Sequence, residues 1–317
     1  MSLAPIILFV YNRPWHTQQT VEALQKNELA SESDLFIFAD GPKTDATEET
    51  KTNVVKVREY IHTITGFNSV TIKESPSNIG LDTSVINGVS EILKIYKRCI
   101  VIEDDIITHP FFLRYVNEAL CLYENDKRIQ MIGGFSFKIR KPFWYNKDVM
   151  LVPRCCSWGW GIWEDRWADV DWEMKDYDSF INDPVAIQKF CRGGDNMLPL
   201  LKEQHLQKVP AWDITWDYTR NKKNGLVLLP VKTLTYNIGL DGTGIHCGFD
   251  SIDSRVQHYP LKKKYDIRLP QYIKHYKLIE KRYKECQNHD TSFLNKIIWS
   301  IEKRIKVLFK KRQTNNQ

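Results

Sequence analysis

"RCIVIEDDIITHPFF", residues 98 to 112, decides how the rest of the chain is read. Four of the five residues from Arg98 to Ile102 are apolar, and the run ends on three adjacent carboxylates, Glu103, Asp104 and Asp105. Adjacent like charges repel, so an acidic cluster at a strand end is either well solvated or neutralised by something positive. On this stretch alone a solvated strand-to-turn junction and a site for a hard cation are equally good readings. Carboxylates of this kind suit Mg²⁺ or Mn²⁺, which take oxygen ligands and bridge to substrate phosphates. No His/Cys set for zinc lies nearby, and no Gly-rich phosphate loop of the Walker type is present.

Upstream, "APIILFVYNRP" (4–14), "DLFIFADGPK" (34–43) and "SVTIKES" (69–75) read as buried strands, each ending in polar or turn-forming residues. Between them "TVEALQKNEL" (20–29) and "TEETKTNVVKVREYIHTI" (47–64) have helical spacing. After "SPSNIGL", Val85, Ile86, Val89, Ile92, Leu93 and Tyr96 form the apolar face of an amphipathic helix, expected to be capped near Asp82. This alternation predicts an α/β fold whose sheet is parallel here and flanked by helices. Ligands of such sheets bind beyond the carboxyl ends of the strands. Those ends carry Asn12 and Arg13, Asp40 and Gly41, Asn78 and Gly80, then Glu103 to Asp105.

With 317 residues and 42% hydrophobic content the chain can build a substantial core. Its seven cysteines form an odd set without a CxxC pair, which reads as reduced thiols in a cytoplasmic protein. "MSLAPIILFVYNRPW" has too short an apolar run for a membrane span and no basic n-region, so it is expected to be a core strand. The net charge of +6 is confined to the tail: residues 293–317 hold seven Lys or Arg and one acid, and residues 1–292 sum to zero. A body without net basicity argues against nucleic acid as a partner. In the tail Leu294, Ile297, Ile298, Ile301, Ile305 and Leu308 sit at helical spacing among Lys and Arg, a pattern that suits an anionic membrane surface at the inner face of the cytoplasmic membrane. Packing on the domain itself or on a partner is the alternative.

Eight of the ten tryptophans lie between Trp144 and Trp216, with "SWGWGIWEDRW" (157–167) the densest run. In order, "VYNRP", "FADGPK", "SNIGL", "IVIEDDI..HPFF", "SWGWGIW..RW", "WDITW" and "NIGLDGTGIH" resemble inverting nucleotide-sugar glycosyltransferases of the GT-A fold. The likeness is to bacterial family-2-like transferases of surface-polysaccharide synthesis and, more distantly, to N-acetylglucosaminyltransferase I; it covers residues 4 to 250. The resemblance implies a Rossmann-like mixed sheet flanked by helices. One domain would span 1–290, with a nucleotide-binding half to about 140 and an acceptor-side half over 141–290. A basic amphipathic helix and tail, 291–317, would follow.

The resemblance also implies roles. "VIEDDI" matches a variant of the DxD motif in which Asp105 ligates the metal and Asp104 faces the ribose. Arg13 and Asp40 match positions lining the nucleotide, Asp40 placed to meet a uracil edge, with a turn-forming Asp-Gly as the lesser alternative. Asn78 belongs to the same donor-side edge. Asp213 of "PAWDITWDYT" matches the catalytic base; Asp217, one turn on, is its alternate, with a salt bridge or cap its favoured role. Trp212 and Trp216 would raise a neighbouring carboxylate's pKa, as proton abstraction near neutral pH requires.

Trp158, Gly159 and Trp160 are expected to line the donor sugar and acceptor, and Trp163 and Trp167 to be core. Gly242 and His246, in a loop with three glycines between 239 and 244, are expected to close over the donor. Glu103 has no assigned partner. The expected activity is metal-dependent transfer of a hexosyl or N-acetylhexosaminyl group from a nucleotide-sugar, UDP-linked by preference, to a glycan or lipid-linked oligosaccharide. A metal-dependent nucleotidyl or phosphoryl transferase, which would lack the Trp-rich wall, and a non-catalytic carbohydrate-binding relative, which would not need both Asp105 and Asp213, are the competing classes. A glycosidase fits less well, since the carboxylates sit on a nucleotide-type sheet edge.

Overall fold

The computed structural model describes residues 2–208, 211–241 and 266–288. The first half alternates as expected: β1 (Ile6–Val10), α1 (Pro14–Gln25), β2 (Asp34–Ala39), α2 (Glu48–Ile61), β3 (Ser69–Glu74), α3 (Leu81–Tyr96) and β4 (Arg98–Glu103). A short β5 (Ile106–Thr108) and α4 (Phe112–Leu122) follow the acidic turn. The second half supplies β6 (Ile129–Gly133), β7 (Val149–Val152) and β8 (Trp160–Trp163). Four helices come next, α5 (Glu164–Trp167), α6 (Tyr177–Ile181), α7 (Pro184–Phe190) and α8 (Met197–His205). Then come α9 (Trp212–Lys222), β9 (Leu226–Pro230), β10 (Thr235–Asn237) and α10 (Lys277–Gln287).

Eight strands form one sheet in the order β3-β2-β1-β4-β8-β6-β9-β7. The first four run parallel, and β8 enters antiparallel between β4 and β6. Strand β9 is parallel to β6, and β7 closes the far edge antiparallel to β9. The sheet is therefore mixed, and the second half of the chain completes the sheet begun by the first. Strands β5 and β10 pair separately as an antiparallel ribbon, Ile106 opposite Asn237.

Alternation along β1 sorts the core into two layers. Ile6, Leu8 and Val10 pack with Val21, Leu24, Val57, Phe112 and Val116 on the face covered by α1, α2 and α4. Ile7 and Phe9 pack with Val85, Val89, Trp160, Trp212 and Ile279 on the face covered by α3, α9 and α10. Strand β3, expected to be buried, is instead at the sheet's edge among the described residues and is largely exposed or half-buried, because no described strand lies beyond it. Pro14 does not begin a loop but occupies the first position of α1, where its missing N–H costs nothing. Gly80 rather than Asp82 precedes α3; the Asp82 carboxylate accepts hydrogen bonds from the Trp212 N–H (3.1 Å) and Gln204 Nε2 (3.3 Å), tying the starts of α3 and α9 together. Among the described residues no disulfide links the six cysteines. Among the described residues no helix is long and apolar enough to cross a membrane. The amphipathic segment 291–317 lies outside the described residues.

Asp217 and Arg220 hold the lower end of α9 to β7. Arg220 donates to Asp217 Oδ1 (2.8 Å), to the Pro153 carbonyl (2.8 Å) and to the Gly225 carbonyl, and Asp217 also accepts the Cys155 N–H (3.1 Å). Both side chains are buried. Removing one partner strands a buried charge, so Asp217→Ala is expected to lower unfolding free energy by about 3 kcal/mol in urea titrations.

Candidate functional site

The polar ends of β1, β2 and β4 lie at one edge of the sheet because those strands are parallel and in register, with Phe9 opposite Glu103. Arg13 sits at the start of α1, three residues past the end of β1. Its guanidinium pairs with Asp104 and lies 3.0 Å from Asp105 Oδ2. This is the positive group the acidic turn requires. The Asp104 carbonyl accepts from Thr20 Oγ1 (2.9 Å), and the Asp105 carbonyl accepts the Ile238 N–H (2.9 Å). Both carboxylates are buried.

Burial pushes the Asp104 carboxyl up, with Arg13 opposing and Asp105 reinforcing. Glu103 is pushed well above the ordinary carboxylate range, first by burial and then by the charges of Asp105 and Asp104. Its carboxylate makes no hydrogen bond or ion pair among the described residues. Asp105 Oδ1 is buried without a hydrogen-bond partner. That orphaned lone pair fits a hard cation, and among the described residues no group of three His, Cys, Asp or Glu could hold a metal alone. Such a cation would take most of its ligands from a bound diphosphate, the usual arrangement for Mg²⁺.

Asp213 lies in the first turn of α9, where a carboxylate is favoured by the helix dipole, and accepts its neighbour's Ile214 N–H (2.9 Å). Burial raises its pKa, and Asp217 raises it further. Its charge is felt by Glu103, and both charges are felt by Cys156, whose thiol burial above all pushes up to about 12. The charges of Asp213 and the acidic turn therefore act on common neighbours although the elements from β5 to α8 separate them in sequence. Asp217 is consumed by Arg220, whereas the Asp213 carboxylate accepts only its neighbour's N–H among the described residues.

Asp40 stands at the end of β2, but its carboxylate is engaged by the protein itself. It accepts from the N–H groups of Gly41 (2.8 Å), Ile79 (3.0 Å) and Gly80 (3.1 Å) and from Asn78 Nδ2 (2.9 Å). Asp40 and Asn78 thus fasten the loop before α3 to the sheet edge. Trp158 is half-buried, its ring 4.4 Å from that of Phe135 and its carbonyl bound by Thr235 Oγ1 at 2.6 Å. Gly159 has φ +78 and faces Phe112 and Thr235, so a side chain there would be strained and crowded. Trp160 corrects the expectation: it is 0% exposed, with its ring 4.9 Å from Trp212 and 5.7 Å from Trp167. It is core, because the first residue of β8 points into the layer beneath α9 rather than across the sheet edge. Gly242 and His246 lie outside the described residues.

Sequence reasoning missed the stem of the glycine-rich segment. A Cβ at Gly239 would come within 2.3 Å of Asp105 Oδ2 and 2.9 Å of Arg13 Nη1, so a side chain there would displace the ion pair. Asp241 then meets His16 Nε2 at 3.0 Å. The available signal was the repeated tetrapeptide "NIGL" at 78–81 and 237–240, each copy landing on a carboxylate-bearing turn of the same edge. Arg154, whose charge lowers the pKa of Asp213, was also missed; it donates to Asn196 Oδ1 at 2.7 Å.

No family model matches the chain, and no curated protein matches it. Among solved structures it is similar to a protein assigned as a nucleotide-diphospho-sugar transferase from Desulfovibrio desulfuricans G20, at 14% identity and a TM-score of 0.29, over 52% of this chain and 65% of that one. It is also similar to S. aureus TarS, at 12% identity and a TM-score of 0.32, over 53% of this chain and 30% of that one. A shorter form of TarS, residues 1–349, gives the same identity and TM-score over 55% of this chain and 49% of that one. The chain thus spans less than two thirds of the length of each.

Replacing Glu103 by Gln removes a charge that burial disfavours. The folded-state pKa of Glu103 is raised, so wild-type stability tied to this group is full below the unfolded value of about 4.3 and is lost as pH rises through the folded value. Glu103→Gln is therefore expected to be more stable than wild type at pH 8 and equal to it near pH 4. Urea midpoints measured across that range check the sign.

Proposed function

We propose that the chain is a metal-dependent inverting glycosyltransferase using a nucleotide-sugar donor, UDP-linked by preference, and a glycan or lipid-linked oligosaccharide acceptor. A role in bacterial surface-polysaccharide synthesis and the preference for a hexosyl or N-acetylhexosaminyl donor follow from the sequence resemblance. What supports the reading is an Arg-neutralised acidic turn at the carboxyl ends of the parallel strands together with the raised-pKa carboxylate Asp213, whose charge reaches Glu103.

Leaving-group departure puts negative charge on a diphosphate while an acceptor hydroxyl gives up its proton. Asp105, through Oδ1, would hold Mn²⁺ or Mg²⁺, which when bound supplies Lewis-acid stabilisation of that charge. Arg13 holds the acidic turn together and offers further positive charge at the donor side. Asp104, hydrogen-bonded to Arg13, stands where a ribose hydroxyl could be met. Asp213 accepts the acceptor's proton; its raised pKa brings its basicity closer to neutrality than an ordinary aspartate's. Trp158 and Gly159, the two residues before β8, would line the donor sugar and acceptor, as the resemblance implies.

Asp213→Asn is expected to lower metal-dependent release of nucleoside diphosphate from the donor by roughly 10²- to 10⁴-fold while donor binding persists in thermal-shift titrations. Retained turnover would move the base elsewhere. Asp105→Ala is expected to abolish the Mn²⁺-dependent part of the donor-induced shift in a panel of UDP-, GDP- and dTDP-sugars. An undiminished Mn²⁺ effect would overturn the metal assignment, and a response to nucleoside triphosphates instead of sugars would favour a nucleotidyl transferase.

A further inference from the structure

The loop joining β6 to β7 presents two large apolar side chains to water. Phe143 is 101% exposed and Trp144 45% exposed, the former the most exposed large hydrophobic residue among those described. Neither is there through disorder of the turn. The Tyr145 N–H donates to the Pro142 carbonyl (3.0 Å), Tyr145 is buried, and its hydroxyl donates to the Val149 carbonyl (2.7 Å). Phe143 and Trp144 are thus held at the apex of a turn anchored by the residue that follows them. The segment "FKIRKPFWYNK", 137–147, contains four cationic residues and no acid. Lys138, Lys141 and Lys147 are exposed and make no ion pair among the described residues.

The same surface continues onto α10. The Trp144 ring lies 5.3 Å from that of Tyr276, the residue before α10, and Cys286 near its far end approaches the Lys138 carbonyl at 4.0 Å. Lys277 and Lys281 stand four residues apart on α10, a spacing that sets like charges against each other. With Lys189 and Arg192 they border a hollow of about 510 Å³ between α7 and α10. Its one carboxylate, Glu280, is already taken: burial would raise it, but Arg192 and His275 outweigh that and hold it at about 2. Lys284 at the rim pairs with Asp195 at 2.6 Å. The hollow is therefore cationic and large enough for a phosphate group.

We propose that this face, the 137–147 loop together with the exposed side of α10, docks on an anionic phospholipid bilayer, with Phe143 and Trp144 entering the interface and the lysines meeting lipid phosphates. Charge complementarity alone would also suit a soluble polyanion. An exposed Phe-Trp pair at a braced apex adds nothing to that, whereas aromatic rings beside Lys and Arg are what the boundary between headgroup and acyl chain favours. The proposal concerns the folded domain and stands apart from the basic segment 291–317. It is also independent of the transferase reading, since it uses none of the residues at the acidic turn.

The test is co-sedimentation of the full chain with vesicles of phosphatidylcholine, alone or mixed equally with phosphatidylglycerol. Binding is expected only to the mixed vesicles and is expected to fall with added salt. Lys138→Glu with Lys141→Glu should weaken it by at least about thirty-fold, from roughly a kcal/mol per basic residue. Phe143→Ser, at a position whose side chain packs on nothing, should weaken binding without moving the melting temperature. Absence of binding, or binding undiminished in both variants, would overturn the proposal. So would competition by inorganic polyphosphate combined with indifference to Phe143→Ser, which would assign the face to a soluble polyanion.

Discussion

The ion pair of Arg13 with Asp104 and Asp105 is the interaction on which the rest of the site depends. Three carboxylates at the end of a buried strand could not be packed against a helix without a counter-charge, and Arg13 supplies it from the turn between β1 and α1. Because β1 and β4 are adjacent and parallel, the guanidinium and the acidic turn emerge side by side. The pair is partly buried, so its removal would leave desolvated charge rather than merely a lost contact. Glu103 receives no such partner and responds by holding its proton more tightly.

Around that pair the chain divides its carboxylates by environment. Asp40 is saturated by loop N–H groups and serves architecture. Asp217 is locked by Arg220 and fixes α9. Asp82 ties two helix starts together. Asp105 and Asp213 keep carboxylate oxygen atoms that the described residues do not fully use, which is why the proposed chemistry is assigned to them. Type and sequence position do not separate these five aspartates; hydrogen-bond saturation does.

The repeated strand-helix pattern of residues 4–103 was legible because period-2 and period-3.6 signals there are dictated by local burial. The placement of β8 between β4 and β6 was not, since "SWGWGIW" carries no mark of which strands it will join. The edge position of β3 was hidden for a related reason: "SVTIKES" alternates as a half-buried strand does anywhere in a sheet. In the site, the acidic turn and Arg13 stood out as polar residues ending apolar runs. Trp160 misled because a tryptophan beside glycines reads as a ligand wall, whereas here Gly161 is needed for close packing on Val116. The contacts of Gly239, His16 and Asp241 were not legible because they span long separations, 225 residues for His16 with Asp241.

The β5–β10 ribbon has a consequence for how the molecule is made. Strand β5 follows the acidic turn directly, yet its partner, Thr235–Asn237, leaves the ribosome more than a hundred residues later. Until then the backbone groups of Ile106–Thr108 have no ladder, and Asp105 lacks the Ile238 N–H on its carbonyl. The four parallel strands and the Arg13 pair can assemble early, so the nascent protein would hold a formed half-sheet beside an unbraced acidic turn. Completion of the site is thereby delayed until all eight strands of the main sheet have been synthesised, a late checkpoint imposed by connectivity.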